Sequence, residues 1–439
     1  MQKRNLLIII LFLFTGTIGW SAERIRQNFD FDWQFRLGEQ GIYKPVQLPH
    51  DWSIELDFNE EVGPESGYLP GGIGYYKKDF NVPASYKGKR VSIVFDGIYH
   101  KATIYLNGQE VDYHRYGYTS FETDLTPYLK YGGKNTLSVK VDHSEKSRWY
   151  TGSGIYRHVW MQVTNPIHVK MWGTYITTPR VSAESAIVSC VTTVANTSAL
   201  TGEIEIMQRI VDAQGNLLKI NGKQYAARTE VVMPENGTKD IAQSFTLSNP
   251  QLWNLEKPYL YRLETILKQK GKVIDRYTTR FGVRTIGFDK DKGFFLNGKN
   301  IKMKGACLHQ DAGCLGVAVP NRSYERRLTI LKEFGANAIR CSHNPPSPEF
   351  LNYCDSIGFL VVDEAFDKWK SGYYEQFFDE CWQQDIRDMI VRDRNHPSIV
   401  LWSIGNELAE ATRKDNVGVE RATLLRDFCL LYTSPSPRD

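Results

Sequence analysis

Arg392-Asp-Arg-Asn-His-Pro-Ser-Ile-Val-Leu-Trp-Ser-Ile-Gly-Asn-Glu407 sets the fold of this 439-residue chain. It reads as a helix end, a proline stop, a buried strand and a polar tip. Ser398 to Ile404 is mostly apolar, β-branched or aromatic, and its length suits a strand covered on both faces. Pro397 stands just ahead, where a missing N–H costs least. Gly405 ends the strand and turns the backbone. Asn406 and Glu407 are then delivered to the end of a parallel strand, where α/β barrels place their chemistry. Carboxylates are seldom set against such apolar surroundings unless they are paired or used.

Upstream, strands and helices alternate. Ile301–Cys307 is the first expected strand. Ser323 is expected to cap a helix over Tyr324–Phe334, with Leu328, Leu331 and Phe334 on one face and Gly335 past its end. Ala338–Cys341 and Phe359–Val362 are the next strands, separated by a helix from Pro348 to Ser356. A longer helix carries Phe378, Trp382, Ile386, Met389 and Ile390 at helical spacing. This is the βα rhythm of a (β/α)8 TIM barrel, but only four strands are present, and a complete barrel needs about 250 residues. Residues 283–439 therefore read as the N-terminal half of such a barrel. One more helix, with Leu424, Leu425 and Phe428 on its apolar side, precedes Ser434-Pro-Ser-Pro-Arg-Asp439, where alternate prolines forbid further helix. A truncated product is expected; a half-barrel that assembles with another copy is the alternative, disfavoured by its unpaired edge.

Residues 23–165 read as all-β. Short strands such as Arg90–Phe95 and Ala102–Leu106 are joined by turn signals, and Asn107-Gly108 favours a two-residue hairpin. A jelly-roll β-sandwich is expected. Three of its loops are rich in Gly and aromatics: Leu48–Trp52, Gly67–Tyr76 and Arg148–Arg157. They read equally as ligand-binding loops and as packing against the barrel. Residues 166–282 repeat the strand rhythm at a length that suits an immunoglobulin-like β-sandwich, without the Cys…Trp…Cys signature. No chemistry is visible there, so it reads as a spacer.

The 54 basic and 50 acidic residues leave a formal charge of +4, too balanced to point to nucleic acid or anionic lipid. Lys3-Arg4, an apolar run from Leu6 to Phe14, and small residues at Gly19, Ser21 and Ala22 have the layout of a secretory signal peptide over residues 1–22. The expected location is periplasmic or secreted, with no membrane contact after its removal. Seven cysteines, an odd number, match neither a zinc pattern nor a disulfide framework and read mostly as free buried thiols.

His396-Pro397-Ser398 followed by Trp402-Ser403-Ile404-Gly405-Asn406-Glu407 resembles the acid/base segment of glycoside hydrolase family 2, which includes β-galactosidases, β-glucuronidases and β-mannosidases. The resemblance implies that Glu407 is the general acid/base and that Asn406 hydrogen-bonds the sugar 2-hydroxyl. Such an acid needs a raised pKa, which burial beside a second carboxylate can supply. The family's attacking Glu lies on a seventh strand, so it is missing from this chain. By the same resemblance His309, Asp311, His343 and Asn344 contact sugar hydroxyls, Arg340 and Glu364 orient or charge-balance them, and Trp369 borders the substrate. Glu364 reads as a partner of Arg340 rather than a nucleophile, and Cys341 has no evident base. Some members hold magnesium through a Glu and a His; the corresponding positions here are Lys368 and Lys370, which cannot ligate. No metal and no cofactor are expected. The stretch Asp363–Trp369 looks most like the galactosidase branch. A β-glucuronidase, a β-mannosidase or a non-catalytic carbohydrate-binding fragment are the alternatives. A carbohydrate is the expected partner, and a homo-oligomer stays open. The whole reading requires Glu407 to lie near the two histidines and not apart in bulk water.

Overall fold

A computed structural model describes residues 23–145, 147–220, 223–369, 373–408 and 416–433. The expected leader (1–22), the Asn221-Gly222 turn, Lys370 and the proline-rich end (434–439) lie outside the described residues. Among the described residues no helix is long and apolar enough to cross a membrane. All seven cysteines are free; Cys307 and Cys314 are exposed rather than buried.

The first unit stacks two antiparallel sheets. Six strands run in the order Lys44–Val46, Trp33–Leu37, Gly72–Val82, Gly133–His143, Ala102–Leu106, Gln109–His114. Four face them: Ile25–Asn28, Val159–Thr164, Arg90–Phe95 and Phe121–Asp124. Gly133–His143 alternates between buried and half-buried positions, the period-2 pattern of a strand with one face in a core. Trp33, Tyr76, Ile93, Phe95 and Ile104 fill the space between the sheets. Asn107 and Gly108 both take positive φ, +54° and +86°, as a type I′ hairpin demands.

The second unit is also a sandwich. Ile167–Val181, Ser185–Asn196 and Gly237–Ser248 face Ala227–Met233, Gly202–Val211, Tyr261–Gln269 and Lys272–Phe281. A buried ion pair, Arg24 NH2 to Asp275 Oδ2 at 3.0 Å, ties the first unit to it. Asp275 also accepts the Val169 N–H at 2.7 Å, so the buried carboxylate is satisfied.

The third unit holds four parallel strands in sequence order: β1 (Gly305–Leu308), β2 (Ala338–Cys341), β3 (Leu360–Glu364) and β4 (Ile399–Ser403). The helices are α1 (Asn321–Glu333), α2 (Pro348–Ile357), α3 (Phe378–Asp393) and α4 (Asn416–Thr433). Two local expectations are corrected. The first strand starts at Gly305, because Lys299–Asn300 pair back on Phe295–Leu296. The first helix starts at Asn321, with Pro320 rather than Ser323 at its cap position. Phe334 is 87% exposed while Leu328 is fully buried. Six residues advance a helix by about 600°, or 240° net, so those two cannot share a face.

The entry to β4 is pinned from below. Asp355 of α2 accepts hydrogen bonds from His396 Nδ1 at 2.6 Å, Ser398 N at 3.1 Å and Ser398 Oγ at 2.7 Å. Burial works against a charge on His396, but the Asp355 carboxylate outweighs it and its pKa is raised. Arg284, from the segment joining the second unit to the barrel, donates to the carbonyls of Pro397 (2.5 Å) and Ile399 (2.6 Å). Trp253 is fully buried and donates to Asp355 O at 2.8 Å. The first half of the Arg392–Glu407 stretch is thus structural, and it fixes where the second half emerges.

Candidate functional site

The site grows from the Arg340 side chain on β2. Its guanidinium reaches across to Glu364, the last residue of β3, which is fully buried. Arg340 Nε donates to Glu364 Oε2 at 3.0 Å, and NH2 to Oε2 at 2.7 Å and Oε1 at 3.0 Å. His343 Nδ1 lies 2.6 Å from Oε1, and Ser403 Oγ donates to Oε2 at 2.6 Å. A buried carboxylate persists only when its charge and lone pairs are met in this way. Against a carboxylate His343 Nδ1 is the donor.

Arg340 NH2 also donates to Asn406 Oδ1 at 2.9 Å. Asn406 Nδ2 donates to Asp367 Oδ1 at 2.8 Å, and its N–H to Asp367 O at 2.6 Å. The amide keeps one N–H and one lone pair for another partner. The next residue, Glu407, takes φ of +48°, a left-handed conformation that non-glycine residues adopt at a cost of about 1–3 kcal/mol. Gly405 is required by proximity: a Cβ there would sit 3.0 Å from Trp369 Nε1 and 2.9 Å from Leu408 Cδ1.

Glu407 carries two cations on one oxygen. Lys368 Nζ is 2.8 Å and Arg148 NH2 3.2 Å from Oε2. Lys368 Nζ also reaches the Glu407 carbonyl at 3.3 Å, and Arg148 NH1 bonds Asp367 Oδ2. The Glu407 side chain is 65% exposed. The hydrogen bonds from Lys368 and then Arg148 hold its carboxyl below the usual range. This corrects the expectation of a buried acid with a raised pKa: in this state the carboxylate is solvated and paired with positive charge, and both conditions favour ionisation. Its link to the histidines is indirect, through the residue that follows Arg148. Trp149, next to Arg148, packs its ring 5.2 Å from that of His309 and 5.5 Å from that of His343, and the two imidazoles are 5.3 Å apart. Burial, and then the neighbouring His343, lower the pKa of His309. His309 Nδ1 and Trp149 Nε1 are buried polar atoms without a hydrogen-bond partner.

Other expected residues sit further back. Asn344 is buried, with Nδ2 3.2 Å from Gln310 Oε1, and Gln310 in turn donates to Thr151 O at 3.0 Å. Asp311 accepts the Gly313 N–H at 3.3 Å and shapes the loop after β1. Trp369 is fully buried and donates to Ile404 O at 2.8 Å. Asn344 and Trp369 are both buried, and among the described residues Asn344 Oδ1 has no hydrogen-bond partner. Sequence reading missed Arg148, Trp149 and Lys368 as site residues. The loop Arg148–Arg157 packs on the barrel: Arg157 NH2 anchors it to Pro345 O at 2.8 Å, and Arg148 and Trp149 reach Glu407 and the two histidines. Its Arg-Trp pair was the only local sign; nothing local foretells an ion pair across 259 positions. The loops at Leu48–Trp52 and Gly67–Tyr76 pack instead, with Trp52 and Tyr76 buried.

A magnesium ion does not fit beside Glu407. The Lys368 ammonium already stands there, and it would repel a divalent cation. Among the described residues no group of three His, Cys, Asp or Glu side chains is arranged to hold a metal.

Three family descriptions match consecutive parts of the chain: "Glycosyl hydrolases family 2, sugar binding domain" over 30–166, "Glycosyl hydrolases family 2" over 167–284, and "Glycosyl hydrolases family 2, TIM barrel domain" over 289–423. A β-galactosidase of Bacteroides ovatus is 44% identical, the match covering 93% of this chain and 50% of that protein. A β-glucuronidase of Bacteroides fragilis is 30% identical, with 91% and 59% covered. A crystal structure of a glycosyl hydrolase family 2 member from Bacteroides cellulosilyticus superposes with a TM-score of 0.88 at 39% identity, covering 93% of this chain and 55% of that one. The chain spans about half the length of the curated relatives it matches.

Proposed function

The chain belongs to glycoside hydrolase family 2, and on that premise we propose that it serves a retaining β-glycosidase in which Glu407 is the general acid/base. The observation that carries this reading is the placement of Asn406-Glu407 at the end of β4, joined through Arg340 to Glu364 and His343 at the ends of β2 and β3. In this chemistry the acid gives its proton to the glycosidic oxygen as the C–O bond breaks and the electron pair goes to that oxygen. A second carboxylate bonds the anomeric carbon from the other face, and water later displaces it, activated by the same Glu407. Glu364 does not suit the attacking role, since both of its oxygens are taken up by Arg340, His343 and Ser403. Asp363 on β3 is fully buried, and burial pushes its pKa well above the ordinary value, so it does not suit the role either; the resemblance puts the attacking Glu on a later strand of the barrel.

The favoured substrate is a terminal β-galactoside. The 44% identity to a β-galactosidase supports this, while the β-glucuronidases among the relatives make the uronide the competing substrate. The test compares nitrophenyl β-galactoside with nitrophenyl β-glucuronide, using the enzyme that carries the attacking carboxylate and its Glu407→Gln variant. Galactoside hydrolysis that falls at least about 100-fold in the variant is expected, as loss of a general acid/base costs about 10²–10⁴. Turnover undiminished in Glu407→Gln would remove Glu407 from the role.

A further inference from the structure

Two cations from different units meet on the same oxygen of Glu407. Lys368 comes from the loop after β3, and Arg148 from a loop of the first sandwich. Among the described residues Oε1 of Glu407 has no partner, while Oε2 has both. Arg148 is itself braced, because its other prong holds Asp367, and Asp367 accepts from Asn406. A guanidinium presents separate N–H groups to the two carboxylates, which fixes its plane as well as its position. Lys368 is only 14% exposed and also reaches the Glu407 carbonyl, so it grips both ends of the residue. Without these contacts an exposed glutamate at a left-handed position would sample several rotamers.

We infer that Arg148 and Lys368 are positioning residues that hold Glu407 by Oε2 and reserve Oε1 for proton transfer. This rests on the reading of Glu407 as the acid/base. A clamped Oε2 acts as the acceptor in both protonation states, so the proton enters and leaves at Oε1 alone. The clamp has a second effect: two positive charges favour the carboxylate, the form that later activates water, over the acid that starts the reaction. The remaining charged groups are less direct. Asp367 lies behind the two cations, the Arg340–Glu364 pair and His343 lie beyond Asn406, and His309 lies beyond Trp149. The first sandwich is therefore part of the acid/base apparatus, since it supplies one of the two groups that aim it.

The experiment follows the Glu407 carboxyl directly in the full chain by carbon NMR with ¹³C-labelled glutamate, the resonance being assigned by its loss in Glu407→Gln. Lys368→Met and Arg148→Met should each move the titration midpoint upward, and Lys368→Arg should leave it near the parent value. Where nitrophenyl glycoside turnover is measurable, the alkaline limb of kcat/KM should move the same way, because that limb reports the acid form. A residue of merely structural importance would lower the rate without displacing the limb. Melting curves identify any variant that fails to fold, in which case Lys368→Gln replaces it. A midpoint unmoved in both Met variants overturns the inference. A midpoint that moves where Glu407→Gln leaves the enzyme's turnover undiminished upholds the clamp and counts against the acid/base reading instead.

Discussion

Removing the Arg340 guanidinium tests the logic of the site most sharply. In Arg340→Met the aliphatic stem survives, but Glu364 loses three contacts of 2.7–3.0 Å while staying fully enclosed. Breaking a buried pair from one side costs about 3–5 kcal/mol, because the orphaned charge stays behind. The Arg340 side chain is 32% exposed, and His343 and Ser403 still serve the carboxylate, so about 2–3 kcal/mol is the better figure here. Over a unit of this size, that lowers the melting temperature by about 5–10 °C. The decisive comparison is the double variant Arg340→Met/Glu364→Gln, which removes the charge together with its partner. It should recover much of the loss, giving a coupling of about 2 kcal/mol in a thermal double-mutant cycle read by tryptophan fluorescence. A double variant whose cost equals the sum of the single ones would show that Glu364 does not depend on Arg340, and the account of the site would fail.

Two further outcomes are expected. Gly282→Ala would place a methyl 2.8 Å from Pro397 Cβ and 2.9 Å from Trp253 Cβ, so a loss of about 1–3 kcal/mol is expected in thermal unfolding, against almost none for Gly287→Ala, whose methyl would meet nothing closer than 4.0 Å. His158 sits 2.7 Å from Asp30; burial alone would lower its pKa, but that hydrogen bond raises it to about 9. A folded value above the unfolded 6.5 means that this stabilisation is full below about pH 6.5 and is lost as the pH rises through 9. It amounts to up to about 3 kcal/mol, and His158→Gln should flatten the fall in melting temperature between pH 7 and pH 10.

Much of the architecture was legible because period and punctuation are local signals. The apolar run after Pro397 and the Gly-terminated helices mark the βα rhythm, and Asn107-Gly108 marks its hairpin. Boundaries slipped where side-chain spacing was read without the helix angle, as with Phe334, or where a turn competed with a strand, as at Lys299–Asn300. The site was legible at the strand ends, since Arg340, His343, Glu364, Asn406 and Glu407 do converge there. The burial of Asn344 and Trp369, and the solvation of Glu407, depend on packing from distant segments. So do the contributions of Arg148 and Trp149, which come from another unit some 160–260 positions away in sequence and carry no local mark of their target. His396-Pro397-Ser398 belongs to a motif read for chemistry, yet its side chains serve Asp355 and the fold.

The Arg148 loop rides on a sandwich with its own core, and that sandwich meets the barrel through a shared buried aromatic cluster, Tyr116 against Phe366 and Tyr374, and through hydrogen bonds such as Tyr116 to Ala365 O. A slip of one ångström between two intact bodies would part Arg148 from Glu407 while every sheet stayed whole. Stiffening that seam is a way to lengthen working life without touching either core.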